Sequence, residues 1–175
     1  MILEKMLQSQ GFGSRKNCQS LIKNGAIHVN GEVITDPKLK LDLQNLAYSV
    51  YGDEFQYREK VYIALNKPVG YECSHQSTHH FSVFELFDDV LLNRGLQTVG
   101  RLDQDTTGLL LLTDDGQFLQ ALTHPKKHVP KVYCMQTADP VTDEQVGQLE
   151  IGVELRNESL LFALLKNPIG FYGAA

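Results

Sequence analysis

Long hydrophobic runs and cysteines are scarce in this chain. No apolar stretch approaches the ~20 residues that a membrane-spanning helix needs, and the first ten residues lack the basic start of a signal peptide. The three cysteines, Cys18, Cys73 and Cys134, are far apart and odd in number. We therefore expect free thiols in a reducing compartment and a cytoplasmic protein without a membrane partner.

Positive charge is also in short supply. The net charge of −5 argues against a general attraction to nucleic acid. Its distribution is uneven, because residues 1–45 carry six Lys or Arg against four Asp or Glu, a local net charge of +2. With 42% hydrophobic and 21% charged residues, the 175-residue chain has the composition of a packed protein and room for a small and a larger domain.

The first 45 residues predict two helices followed by a hairpin. ILEKMLQ places its apolar residues on one helical face, and a second helix is expected between the N-cap Ser14 and Gly25. Two β-prone arms then surround Asn30-Gly31, a strong hairpin signal. These elements form a module too small to bury much apolar surface alone.

Cations surround the second predicted helix of this module. Arg15, Lys16 and Lys23 can be an ordinary solvated helix face, which the weak +2 charge favours, or a surface that binds phosphate. The segment SRKNCQSLIKNGAIHVNGEVI resembles the alpha-L motif, the small RNA-binding domain named after ribosomal protein S4. That resemblance implies that the three cations and the hairpin face RNA.

The rest of the chain predicts a second, larger domain. Residues 43–59 lack sustained periodicity and predict a strand fragment plus a linker, which we place at 46–60. Strands are predicted at 61–65, 96–100, 109–113 and 131–137, with helices at 117–124 and after Thr142. Because strands and short helices mix without βαβ alternation, we expect an α+β fold around a largely antiparallel sheet.

The segment GRLDQDTTGLLLLTDDGQ, residues 100–117, carries the candidate chemistry. Asp103 and Asp105 precede a leucine run typical of a buried strand. Asp105 and the threonines after it are expected to shape a turn. Arg101 shares one side of an extended segment with Asp103 and would keep that carboxylate ionised. An ionised carboxylate can act as nucleophile, base or stabiliser of a cationic sugar.

Two other chemistries are open at the residue level. DQDTT fits the D-x-D-x-T pattern of magnesium-dependent phosphatases, with Asp103 as nucleophile and Asp105 as acid or base. The long apolar strand, however, follows the motif instead of preceding it, and Asp114-Asp115 is a poor metal pair. The segment CSHQSTHH could supply soft metal ligands, but its spacing matches no common zinc pattern and favours a polar loop.

Residues 100–117 also resemble the catalytic motif of pseudouridine synthases, in the branch typified by ribosomal small subunit pseudouridine synthase A. LNKPVGYECS at 65–74 and KVY at 131–133 match further motifs, and together with the RNA-binding module they span residues 2–155 in the family's order. The implied domains are an RNA-binding domain at 1–45, a linker at 46–60 and a partial catalytic domain at 61–175.

This resemblance implies roles for individual residues. Asp103 would be the essential carboxylate, Arg101 would hold the opened-out nucleotide, Tyr133 would stack on the uracil, and Lys67 would contact a phosphate. The isomerisation has no redox step or net group transfer, so it requires no cofactor or metal. The expected partner is small-subunit 16S rRNA, free or in an assembling particle, and the expected state is a monomer.

The C-terminal sequence departs from this family. Residues 156–175, RNESLLFALLKNPIGFYGAA, do not match the Gln-Val-Lys/Arg-Arg-Met segment expected there, so the C-terminus is expected to be truncated or altered. The chain would then be weakly active or inactive. The alternative function is an RNA-binding protein that has the synthase fold but no turnover.

Overall fold

A computed structural model describes residues 1–127, 129, 133–134, 137–154 and 160–161 of the chain. Its contacts divide the chain into two compact units, Met1–Val129 and Pro130–Ala175. The first unit contains the N-terminal module and the segment with the candidate aspartates.

The N-terminal module begins with two helices, α1 (Leu3–Ser9) and α2 (Arg15–Lys23). The predicted cap of α2 is confirmed, because the Ser14 side chain accepts a hydrogen bond from the Asn17 amide. Gly25 follows the end of α2 with a φ of +71°, the left-handed conformation in which glycine commonly ends a helix.

A four-stranded antiparallel sheet completes this module. The predicted hairpin is confirmed as β1 (Ile27–Val29) and β2 (Glu32–Val33), with positive φ angles at Asn30 and Gly31. The sheet continues in β3 (Ala47–Val50) and β4 (Asp53–Gln56), in the order β2-β1-β3-β4. The segment predicted to contain a strand fragment and the linker at 46–60 therefore contains two strands, one more than expected.

The core of the module lies between the two helices and this sheet. It consists of buried residues from every element except β2 and β4 and from the loop before β3: Leu3, Met6, Leu7, Cys18, Ile22, Ile27, Val29, Leu46, Tyr48 and Val50. Phe12, Tyr48 and Phe55 add edge-to-face and stacked ring contacts. Burial raises the pKa of the Cys18 thiol, so this cysteine behaves as a small core residue.

The rest of the first unit is built on a three-stranded antiparallel sheet, in the order β5-β9-β8. Its strands are β5 (Tyr62–Lys67), β8 (Gln97–Thr98) and β9 (Gly108–Thr113). The predicted leucine strand is confirmed, and it pairs in register from Tyr62 opposite Thr113 to Lys67 opposite Gly108. One face of the sheet packs into a core with Val83, Phe84 and Leu96.

Shorter elements surround this sheet. β6 (Tyr71–Glu72) and β7 (Phe81–Ser82) form a parallel pair, followed by a 3₁₀ helix at Val83–Leu86. Helix α3 (Asp89–Asn93) was not predicted from the sequence. Helix α4 (Gly116–Thr123) was predicted, and Asp115 caps it by accepting from the Gln117 and Phe118 amides.

The second unit contains helix α5 (Asp143–Ile151), whose predicted cap Thr142 forms a capping box with Gln145. Strands β10 (Val153–Glu154) and β11 (Leu160–Leu161) pair antiparallel. The predicted strand at 131–137 and the altered tail at 156–175 fall mostly outside the described residues. Mixed helices and mainly antiparallel sheets confirm the α+β fold class. No described helix is long and apolar enough to cross a membrane.

Candidate functional site

Asp103 lies on an exposed loop that leads into β9, a strand that buries Leu110 and Leu112 but leaves Leu109 exposed. The loop turns tightly, because the Thr106 amide donates to the Asp103 carbonyl oxygen at 3.1 Å. The predicted turn is therefore present, with Gln104 and Asp105 at its centre. The Asp103 carboxylate is accessible at the surface while the strand that follows is anchored in the core.

Lys67 holds this loop from inside. Its side chain is completely buried, and Nζ donates to the carbonyl oxygens of Pro68 at 3.1 Å, Gln104 at 3.2 Å and Thr106 at 2.7 Å. These three acceptors match the three N–H donors of an ammonium group. Lys67 pairs with Gly108 in the sheet, so the methylene chain of the Lys67 side chain lies beside the start of β9. The expectation of an exposed phosphate contact at Lys67 is corrected, because its donors are engaged within the protein.

Two further contacts fix the loop that contains Asp103. The Gly70 amide donates to the Gln104 carbonyl oxygen at 2.9 Å. The Cys73 sulfur accepts from the Leu102 amide at 3.5 Å and donates to the Leu102 carbonyl oxygen at 3.4 Å. The segment after β5 therefore contacts the loop on both sides of Asp103. The sequence linked these segments only through their motif resemblance and gave no signal for these hydrogen bonds.

The expected pairing of Arg101 with Asp103 is absent. Within the part of the chain that the structure describes, ion pairs form between Arg15 and Glu4 and between Arg94 and Asp114. None forms between Arg101 and Asp103. The side chains of Arg101 and Asp103 are both exposed. Their i and i+2 spacing on one side of an extended segment did not bring them into contact. Arg101 is therefore free of this ion pair at the surface beside Asp103.

Tyr133, expected to stack on a uracil, belongs to the second unit and has 78% of its surface exposed. Its neighbour Lys131 lies outside the described residues. The stacking role of Tyr133 stays a prediction.

The carboxylates needed for a magnesium phosphatase are engaged elsewhere. Asp114 accepts from Arg94 and from the Val61 amide, while Asp115 caps α4 and accepts from the Tyr62 hydroxyl at 2.7 Å. The hydrogen bond from Tyr62 lowers the pKa of Asp115. Both lie beyond the far end of β9, roughly 20 Å of strand from the loop of Asp103 at ~3.3 Å per residue. Asp114 and Asp115 are therefore not placed to hold a magnesium ion beside Asp103.

The cysteine and histidines at 73–80 form a closed polar loop. Ser82 Oγ donates to the Ser74 carbonyl oxygen at 2.6 Å, and the Ser77 hydroxyl lies within hydrogen-bond distance of two acceptors, Glu72 and the His80 carbonyl oxygen. The His75 ring stacks on Phe84 with centroids 3.6 Å apart. No group of three metal-ligating side chains occurs among residues 1–127 or the other described positions.

The cations of α2 are exposed, as expected for a binding surface. Lys16 and Lys23 lie at the surface. The Arg15 side chain is 67% exposed. One of its guanidinium nitrogens lies 2.8 Å from the carboxylate of Glu4, whose side chain is only 3% exposed. Gln19 also donates to Glu4 at 2.5 Å, and this hydrogen bond is the main reason that the pKa of Glu4 is lowered. Arg15 is therefore held through one nitrogen of its guanidinium group, while most of its side chain stays exposed.

The fold combines a small helix-hairpin module with an α+β domain that presents an aspartate on a loop fixed by hydrogen bonds. The profile of the family described as RNA pseudouridylate synthase matches residues 61–162, and that of the S4 domain matches residues 3–45. The chain belongs to the RNA pseudouridylate synthase family.

Three relatives illustrate the similarity. The uncharacterized RNA pseudouridine synthase YtzG of Bacillus subtilis is 37% identical over 87% of this chain and 64% of its own length. Ribosomal small subunit pseudouridine synthase A of Vibrio vulnificus is 36% identical over 92% of this chain and 68% of its own length. A putative ribosomal large subunit pseudouridine synthase of Arabidopsis thaliana chloroplasts is 40% identical over 75% of this chain and 35% of its own. The chain thus spans about two thirds of the length of the first two relatives.

Proposed function

We propose that this chain isomerises one uridine of small-subunit 16S rRNA to pseudouridine, with Asp103 as the essential carboxylate. The observation that carries the proposal is the Asp103 loop, which is exposed at its carboxylate and braced from inside by Lys67. Preorganised placement of a reacting group is worth several kcal/mol of a reaction barrier. Similarity to relatives named as small-subunit enzymes supports the choice of rRNA.

The reaction conserves atoms and electrons. The bond between uracil N1 and ribose C1′ breaks, the uracil turns, and a bond forms between uracil C5 and C1′. C5 loses a proton and N1 gains one, so the composition is unchanged. Three roles are chemically open to Asp103: attack on C1′, attack on the uracil ring, and removal of the C2′ proton. Each role requires the base to leave its stack, at a cost of a few kcal/mol.

Other residues are proposed to bind the RNA. The S4 match and the exposure of Arg15, Lys16 and Lys23 support α2 as the surface that contacts phosphates of the rRNA. Arg101, unpaired with Asp103, is proposed to hold the extruded nucleotide, and Tyr133 to stack on its uracil. The RNA-binding module is proposed to extend through the sheet that ends at Gln56, with the catalytic domain beginning at residue 61. A monomer in the cytoplasm is the proposed working state.

The test maps pseudouridine in both ribosomal RNAs after incubation with the full chain or its Asp103→Asn variant. We expect modification at one small-subunit uridine with the wild type and none with the variant, although both bind RNA equally. Asp105→Asn is the matched control and should keep activity, because Asp105 lies in the same turn. Modification by the Asp103 variant would refute the role of Asp103. Binding without modification by either protein would leave RNA binding as the function, and a large-subunit product would overturn the choice of substrate.

A further inference from the structure

Residues 58–61, here called the joint, connect the N-terminal sheet to β5. The N-terminal module forms hydrogen bonds with them. The Gln10 side chain, at the end of α1, is buried to 4% exposure. Its Nε2 donates to the Arg58 carbonyl oxygen at 2.9 Å, and its Oε1 accepts from the Arg58 amide at 3.0 Å. Gln10 therefore pairs with the joint through two hydrogen bonds, as a neighbouring strand would.

Side chains of the catalytic domain also form hydrogen bonds with the joint. Arg94 Nη2 donates to the Arg58 carbonyl oxygen at 2.8 Å, and Asp114 accepts from the Val61 amide at 2.9 Å. Arg94 and Asp114 also form an ion pair of 2.6 Å, with side chains only 4% and 7% exposed. One backbone oxygen, that of Arg58, thus accepts from both modules. Separating the two modules would expose the buried ion pair of Arg94 and Asp114 to water and would let its hydrogen bonds rearrange.

The backbones of the two modules also approach closely beside the joint. Gly11 has a φ of +93°, and a Cβ atom at this position would lie 1.9 Å from the Val90 carbonyl oxygen in α3. Such a separation is far shorter than any van der Waals contact. Gly11 is therefore required for α1 and α3 to pack at this distance.

We infer that the joint is a specificity-determining element, which holds the RNA-binding surface of α2 at a fixed separation from Asp103. This inference rests on the proposed function. Four unrestrained residues could change their end-to-end distance by up to roughly 14 Å, whereas successive nucleotides on a duplex strand are ~3.4 Å apart. A free connection would present several neighbouring uridines to Asp103. The restrained joint selects the uridine that lies at one distance from the RNA bound on α2.

The variant Gly11→Ala tests this directly, because the added methyl group forces the two backbones apart. Gly52→Ala is the matched control, since Gly52 lies in the same module with the same φ of +93° and has no atom within 4 Å of an added Cβ. Hydrogen exchange of the Arg58 and Val61 amides reports the state of the joint without requiring activity. Pseudouridine mapping reports the ratio of modification at the target uridine to modification at its neighbours.

We expect both amides to exchange faster in Gly11→Ala than in Gly52→Ala. The selectivity ratio should fall toward one, because a joint that is no longer fixed brings neighbouring uridines to Asp103 as readily as the target. If Gly11→Ala does not fold, Gln10→Ala replaces it, with the exposed Gln8→Ala as control.

Unchanged exchange in the folded variant would overturn the restrained joint. Faster exchange with unchanged selectivity would overturn its role in choosing the uridine. A wild-type chain that makes no pseudouridine would refute the proposed function and with it the choice of uridine, whereas the exchange comparison would still decide whether the joint holds the two modules together.

Discussion

Replacing Lys67 by methionine should separate stability from activity. Methionine keeps an unbranched apolar stem in the core but removes all three hydrogen bonds to the loop that contains Asp103. Each hydrogen bond from a charged donor contributes ~1.5–3 kcal/mol. Against this stands the desolvation of the buried ammonium group, which costs several kcal/mol. We therefore expect the free energy of unfolding to change by no more than about 2 kcal/mol.

Activity should respond far more strongly than stability. Pro68 and Thr106 are exposed residues, so their carbonyl oxygens can turn to water once the ammonium is gone. The loop then shifts, and a displacement of ~1 Å at Asp103 would reduce turnover by about 100-fold. Lys67→Arg should not restore activity, because a planar guanidinium cannot direct three donors to these converging oxygens.

The assay combines urea unfolding, single-turnover pseudouridine formation and hydrogen exchange of the Gly70 amide, which donates to the Gln104 carbonyl oxygen. Lys126→Met, at an exposed lysine in the 3₁₀ turn Pro125–Lys127, is the control and should match the wild type in all three. The reasoning is refuted if Lys67→Met keeps more than about one tenth of wild-type turnover, or if Gly70 exchange is unchanged.

Two further predictions concern the N-terminal module. Glu4 has a lowered pKa in the folded chain, so its stabilising contribution is present above the unfolded value of ~4.3 and is lost as the pH falls through the folded value. Urea unfolding at several pH values should show that the difference in unfolding free energy between wild type and Glu4→Gln shrinks as the pH falls through the folded pKa of Glu4. A difference that stays constant with pH would contradict this prediction. Replacing Lys16 and Lys23 by alanine should reduce the slope of log binding constant against log salt concentration by about 1 per lost phosphate contact. Fluorescence titration with rRNA at several salt concentrations measures this, and an unchanged slope would place the RNA elsewhere.

The local elements of the fold could be predicted because their signals lie close together in the sequence. The Ser14 cap, the Asn30-Gly31 turn and the leucine strand each depend on residues within a few positions of one another. The strands β3 and β4 gave a weaker signal, since each has four residues and their pairing with β1 depends on the surrounding chain. Short strands acquire their stability from neighbours, which single-sequence periodicity does not contain.

By itself, the sequence determined the class of fold, the family and the position of Asp103 ahead of a buried strand. Only the tertiary structure showed Lys67 buried beneath the loop, Arg101 separate from Asp103, and Gln10, Arg94 and Asp114 gripping one joint. The contacts of Gln10, Arg94 and Asp114 connect residues 20 to 53 positions apart. Such partners are chosen by the path of the folded chain and by the need to satisfy buried polar groups, and neither is encoded in the spacing of nearby residues.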